Sequence, residues 1–361
     1  MLLELINATL CKRPLNEKVF SGASETDWQR CYDMALAQGV LAMTFPAMSS
    51  LPKVLRPSLQ IWAQWMAYTQ SIADLTRGKH DVVKKMGVWL AEDELKTTII
   101  KGFSLSALYP NPNLREFSDV DIYSGSDYEA VNDCLAKHGV KVDKVDGHHA
   151  YLNMEGVPIE HHFAFSNTKV KKGLAGPEET LRRLVITNPK PTTIPDIYFP
   201  CPAFTALFVG YHAYEHFLQE KIQIRHIIDW ALVMQQLNDE EAETVHGEMA
   251  DSRWGGFLDT ITAIAINQLK LPLEWFPSKV LNDTSYINAE LKKRVWDDIL
   301  YSSHTPNNKN SYFRRYFIAN RMLKNGWKFK EYSNMSASRF LMKEFVGHLK
   351  TLNLKPEYIK Q

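Results

Sequence analysis

Residues 115–125 read REFSDVDIYSG and place two aspartates, Asp119 and Asp121, two positions apart inside an apolar, β-type run. Side chains alternate along a strand, so both carboxylates leave the same face, roughly 6–7 Å apart along the backbone. A half-buried strand usually wets one face with mixed polar groups; here that face carries only carboxylates. It is either a solvated edge or the floor of a metal site. Like charges at this spacing repel unless a cation lies between them, and hard oxygen donors suit Mg²⁺ or Mn²⁺.

The surroundings favour the metal site. Upstream, the β-branched run Thr97–Ile100 ends in Lys101-Gly102 and enters a short helical stretch, SLSALYP, which Pro110 and Pro112 stop. A glycine turn at a helix N-terminus exposes backbone N–H groups to an anion. Arg115, four residues before Asp119, is within reach of a phosphate bridged by the metal. Downstream, GVPIEHHFAF supplies Glu160 on a later strand, with His162 on the same face. Each feature also has a plain alternative: an ordinary turn, a surface charge, an outward polar pair at a sheet edge.

Periodicity places this constellation in an α+β fold. Residues 1–90 read as helical; SETDWQRCYDMALAQGV opens with a capping box, Ser24 and Asp27, and carries Trp28, Cys31, Ala35 and Leu36 at helical spacing. Residues 91–200 read as a small mixed-sheet core. In it DVDIY is a strand and SDYEAVNDCLAKHGV a helix between an N-cap at Ser126 and a C-cap at Gly139. HHAYLNMEGVPIEHHFAF reads as two strands turning at Glu155-Gly156. After the proline-rich NPKPTTIPDIYFPCP the helical period returns, giving a helical region over 201–361.

The block IIKGFSLSALYPNPNLREFSDVDIY, with PIEHHFAF and HAYEHFLQEKIQIRHIIDWALVM, resembles the polymerase-β-like nucleotidyltransferase superfamily. Within it, the likeness is to the bacterial group described as uncharacterised nucleotidyltransferases, and it spans roughly residues 25 to 235. The resemblance implies transfer of NMP from an NTP to an unidentified acceptor, a small molecule, protein or RNA, with release of pyrophosphate. It implies that Asp119, Asp121 and Glu160 hold two Mg²⁺ ions, Glu160 also assisting deprotonation of the acceptor. Gly102 and Ser104 would hold the β- and γ-phosphates, and Lys101 and Arg115 would add positive charge there. The family's Gly-Ser pair is here Gly102-Phe103-Ser104, a departure that bears on the serine. Alternatives from other classes are a degenerate core that binds a nucleotide or a partner, and a DxD glycosyltransferase.

The helical region carries further candidates. His212, Glu215 and His216 spell H-x-x-E-H, the order of some inverted zinc peptidases, although a cleft wall or simple packing also suits them. Arg225 and Asp229 stand at i,i+4 as an opposite-charge pair and as a candidate cleft contact. Lys309–Gln361 carry 12 Lys/Arg against 3 Asp/Glu, with Arg314, Arg315, Arg321, Lys324 and Lys328 among Tyr316, Phe317, Trp327 and Phe329. That mix suits RNA stacking, an amphipathic helix with its aromatics in the core, or a membrane surface.

Bulk properties set the frame. With 361 residues, 45% hydrophobic and 23% charged, the chain has the composition of a folded globular protein of two or three domains. A formal net charge of +1 leaves no global field for nucleic acid or acidic membranes. Cys11, Cys31, Cys134 and Cys201 form no CxxC pair and read as reduced thiols of a cytoplasmic protein. The apolar start MLLELINATLCKRP reads as an amphipathic helix, and no run reaches the ~18 apolar residues of a membrane span.

Overall fold

The computed structural model describes residues 1–145, 147–165, 177–250, 252–281, 287–301 and 311–343. Four helices precede the sheet: α1 (Leu2–Leu10), α2 (Glu25–Ala37), α3 (Leu41–Ser50) and α4 (Leu59–Glu92). The expected capping box starts α2: Ser24 Oγ accepts from the Asp27 amide, and the Asp27 carboxylate accepts from the Ser24 amide. Trp28, Cys31 and Ala35 are buried, whereas Leu36, expected beside them, is 40% exposed because it sits a further 100° round the helix.

The α+β core then alternates strands with short helices. In order they are β1 (Thr97–Ile99), α5 (Phe103–Ser106), β2 (Val120–Tyr123), α6 (Tyr128–Lys137), β3 (Val142–Val145), β4 (His149–Met154) and β5 (Val157–His162). Helix α7 (Glu178–Val185) and strands β6 (Lys190–Pro191) and β7 (Ile197–Phe199) complete it. The strands form one mixed sheet in the order β3-β4-β5-β2-β1-β7-β6. Residues Glu155 and Gly156, both at positive φ, make the tight turn between β4 and β5.

One expectation is corrected within this core, and further strands are added to it. The helix after β2 is not capped by Ser126: a 3₁₀ turn over Gly125–Asp127 comes first, and Asp127 stands at the N-cap without a capping bond. The proline-rich stretch contributes β6 and β7 to the core, with Pro191 on the edge strand, where no ladder donor is missed. Strand β3 was also unforeseen; all four of its residues are exposed, so no buried face marked it in the sequence.

The sheet has two unlike faces. Beneath it, Val82, Val83, Met86 and Leu90 of α4 and Val131, Cys134 and Leu135 of α6 pack on Val120, Ile122, Ala150, Leu152 and Ile159. Alternation therefore sends Asp121 and Glu160, which are register partners in the parallel β2–β5 pair, to the opposite face. The other end of α4 lies in the helical core, through Ile61 and Trp65, so one 34-residue helix serves both cores.

The C-terminal helices are α8 (Pro202–Gln219), α9 (Ile224–Met234), α10 (Asp239–Met249), α11 (Arg253–Asn267), α12 (Ala289–Tyr301), α13 (Ser311–Lys324) and α14 (Gly326–Tyr332). Among the described residues no helix is long and apolar enough to cross a membrane. The basic, aromatic segment turns much of itself inward. Phe329 and Tyr332 are buried, and Tyr332 packs edge-on against Phe217 at 5.7 Å. Lys328 is fully buried and donates to Asp298 Oδ2 at 2.6 Å and to the Phe217 carbonyl at 3.1 Å. Lys324 is exposed; the side chains of Arg314 and Arg315, and residues 344–361, lie outside the described residues.

Two glycines of α4 provide a paired test of packing. A Cβ at Gly87 would lie 2.6 Å from Ile194 Cγ2 and 2.6 Å from the Pro195 carbonyl oxygen, whereas one at Gly78 would meet nothing within 4 Å. Helix propensity favours alanine at both by up to about 1 kcal/mol, but overpacking costs about 1–3 kcal/mol. Gly78→Ala is expected to raise the melting temperature and Gly87→Ala to lower it; equal shifts would refute the packing. Burial lowers the Lys328 ammonium to about 8. Folding therefore releases its proton between pH 8 and the ordinary lysine range, and stability from this group rises with pH there. Urea titrations should show wild type gaining on Lys328→Met between pH 8 and pH 10.

Candidate active site

Asp121 lies beside Glu160 in the β2–β5 ladder, next to a cleft of about 660 Å³ between the sheet and helices α8 and α9 that Lys101, Asp119 and Glu160 line. It is 0% exposed, and Oδ1 accepts from Lys101 Nζ at 3.0 Å and from His162 Nε2 at 3.1 Å. Oδ2 is buried with no hydrogen-bond partner among the described residues. Burial pushes this carboxyl up, but Lys101 and His162 outweigh it and hold it well below the usual carboxylate range. Glu160, across the ladder, lies 3.7 Å from Nε2 of both His149 and His162.

Asp119 precedes the first residue of β2, is half-buried and lines the same cleft. Burial raises its pKa, and the Asp121 carboxylate raises it further. The neighbouring cations respond in the opposite sense. Burial disfavours charge on Lys101 and on His162, yet Asp121 and the carboxylates around it raise both pKa values.

These groups fit a cation. Ligand atoms of Asp121, Glu160 and His162 all lie within 4.8 Å of one another, and the orphaned Oδ2 supplies an oxygen with no other use. Such a set is open to a hard or borderline dication. Asp119, expected as an equal ligand, is not in this group; it stands at the strand's entry rather than opposite Glu160.

The glycine turn differs from expectation. Gly102 has φ 58 and ψ −85, a strained conformation, and a Cβ there would stand 3.2 Å from the Asp119 carbonyl oxygen. Only glycine fits both demands. Helix α5 has four residues, too few to focus a strong dipole. Ser104 is buried, is absent from the cleft wall, and its Oγ has no hydrogen-bond partner among the described residues. The intervening Phe103 anchors the turn by packing on His80 and Phe117, which carries Ser104 away from the opening.

Arg115, expected on the phosphates, is committed elsewhere. Its Nε and Nη2 donate to Oδ1 and Oδ2 of Asp229 at 2.9 and 2.7 Å, and Nη1 donates to the Gly102 carbonyl at 3.0 Å. The Tyr109 hydroxyl adds a 2.7 Å bond to Asp229 Oδ1. Asp229 is therefore the partner of Arg115, not of Arg225. Arg225 reaches the Glu116 carbonyl at 2.8 Å and Gln223 Oε1 at 3.1 Å. On the opposite wall, His212 and His216 line the cleft with ring centroids 4.4 Å apart. Neither belongs to a group of three or more metal-ligand side chains among the described residues.

The sequence reading passed over His149 and Tyr151. The signal was available: alternation along β4 puts both on the Glu160 face, and Tyr151 is the register partner of Glu160. The Arg115–Asp229 pair generates a direct prediction. Removing one partner of a buried, bidentate pair costs about 3–5 kcal/mol, because the other charge is left uncompensated. Asp229→Ala should lower unfolding free energy by that order in denaturant titrations; a loss under about 1 kcal/mol would show that the pair is not a structural anchor.

No curated protein matches the chain. One solved structure is similar: that of the antibiotic-resistance factor ANT(2'')-Ia, at 12% identity and a TM-score of 0.37, covering 54% of this chain and 99% of that one. The sequence model of a family described as "uncharacterised nucleotidyltransferase" matches residues 24–266, which include every strand of the sheet, the cleft floor and the α8–α9 wall. That match spans more than half of the chain, and the protein belongs to this nucleotidyltransferase family, an enzyme of nucleotidyl transfer.

Proposed function

We propose that the cleft transfers NMP from an NTP to a hydroxyl acceptor and releases pyrophosphate. The observation that carries this reading is the buried Asp121 Oδ2, without a hydrogen-bond partner among the described residues, beside Glu160 and Asp119, which line the cleft. A divalent cation, Mg²⁺ or Mn²⁺, held by Asp121 and Glu160 with Asp119 at the rim, would neutralise phosphate charge and lower the pKa of the acceptor hydroxyl.

The chain's own groups do the rest. The acceptor oxygen bonds to the α-phosphorus as the bond to the bridging oxygen of the β-phosphate breaks, and pyrophosphate leaves with those electrons. Glu160, half-buried at the edge of the acidic set, takes the acceptor proton at a carboxylate oxygen. Lys101 keeps Asp121 ionised and adds positive charge where the triphosphate enters. Arg115 acts as a positioning residue: it fixes the Gly102 carbonyl and with it the turn that lines the cleft. The α8 and α9 wall, with His212, His216 and Arg225, offers aromatic and cationic surface to a base or an acceptor.

Family membership removes the glycosyltransferase alternative. The inward packing of Lys328 and Phe329 takes both from any RNA surface, so an RNA end stands beside small-molecule and protein hydroxyls as acceptor. The buried thiols, Cys31 held up at about 12 by burial, are consistent with a cytoplasmic setting.

The test uses each NTP in turn, labelled at the α- or the γ-phosphate, with the full chain, a divalent cation and a cell extract. Product should carry the α-label and never the γ-label. Asp119→Asn with Asp121→Asn should lower labelling by about 10³-fold or more with the circular dichroism spectrum unchanged. Undiminished labelling by that folded variant would overturn the reading. Retained NTP binding without transfer by wild type would leave the degenerate binding protein instead.

A further inference from the structure

A second set of donors adjoins the acidic one. His149, the first residue of β4, is the register partner of His162 in β5, and His148 bends in beside them. Ring centroids stand 4.3 Å apart for His148–His149, 5.0 Å for His149–His162 and 5.6 Å for His148–His162. One nitrogen of each lies within 4.8 Å of the other two. Glu160 closes the set, with carboxylate oxygens 3.7 Å from Nε2 of His149 and of His162. His149 and His162 are buried, while His148 is half-buried and lines the cleft, which leaves an entry path.

We propose that His148, His149 and His162, with Glu160 as fourth ligand, form a site for one first-row transition dication, distinct in preference from the Mg²⁺-type carboxylate set. Three imidazoles and one carboxylate suit Mn²⁺, Fe²⁺, Co²⁺ or Zn²⁺, whereas Mg²⁺ takes oxygen and binds imidazole poorly. Metal–nitrogen bonds of ~2.1 Å in a tetrahedron set ligand atoms ~3.4 Å apart, so small ring rotations bring these donors into place. Simple aromatic packing would account for neighbouring rings, but not for a carboxylate reaching two of the three nitrogens beside the orphaned Asp121 oxygen. Because His162 and Glu160 belong to both sets, the transition ion sits at the end of the acidic floor and biases the enzyme toward Mn²⁺-type cations. The site rests on the β4 and β5 donors alone and does not require the nucleotidyl-transfer reading.

Co²⁺ is the probe, added to tag-free, chelator-stripped full chain without NTP. Wild type should bind one equivalent and develop visible ligand-field absorption, which millimolar Mg²⁺ leaves in place. His148→Ala and His149→Gln should each weaken Co²⁺ binding at least tenfold, while Asp119→Asn and His216→Ala retain it. Absence of a stoichiometric site in wild type overturns the proposal outright, whether or not the variants fold. Displacement by Mg²⁺, or loss of the band in His216→Ala rather than in the β4 variants, overturns it equally. A positive titration together with absent NTP labelling would keep this site and remove the proposed function, so the two stand or fall separately.

Discussion

The bidentate pair between Arg115 and Asp229 holds the two halves of the cleft in register. Arg115 stands just before the aspartate-bearing strand, Asp229 lies on α9, and 114 residues separate them. Both are buried, so their desolvation has to be offset by geometry. Two parallel N–H···O bonds, a third to the Gly102 carbonyl and a fourth from Tyr109 supply it. The pair thus ties a strained glycine turn, the entry to β2 and the helical wall to one point. Loosening it would shift the glycine turn at the cleft wall relative to Asp121.

This anchor also explains what was legible in the sequence and what was not. Period-2 alternation gave Asp119 and Asp121 a common side of one strand and Glu160 and His162 a common side of the other. The parallel pairing of β2 with β5 then made Asp121 and Glu160 neighbours. Local signals such as the Ser24–Asp27 box and the Glu155-Gly156 turn were equally readable, since their chemistry is complete within four residues. The partner of Asp229 was not. Spacing offered Arg225 at i+4, but a long-range, bidentate, buried geometry outcompetes an exposed-type helix pair worth about 0.2–0.5 kcal/mol.

Ser104 and the proline-rich strands were not legible for a related reason. A family motif fixes the type of a residue but not where its side chain turns after an insertion, and Phe103 redirected the chain by seeking an apolar pocket. Prolines argue against a central strand, not against an edge, and β6 is an edge. In the basic C-terminal segment, composition could not separate a nucleic-acid surface from a helix with its aromatics inward. For Lys328 and Phe329 burial decides the matter.

The energetics of the acidic floor carry the argument one step further. A buried carboxylate oxygen without a partner costs about 1–3 kcal/mol or more, and three carboxylates in one pocket add mutual repulsion. Lys101 offsets part of that, and His162 adds a hydrogen bond to the same Asp121 oxygen. A fold selected for stability alone would replace the set with apolar side chains at little cost. Retaining it on a central strand, beneath a cleft and held by a remote ion pair, is reasonable only if a cationic ligand completes the charge balance. The imbalance is therefore the most informative property of the site: it names the sign of what binds there, and the nitrogen donors on β4 narrow which ion.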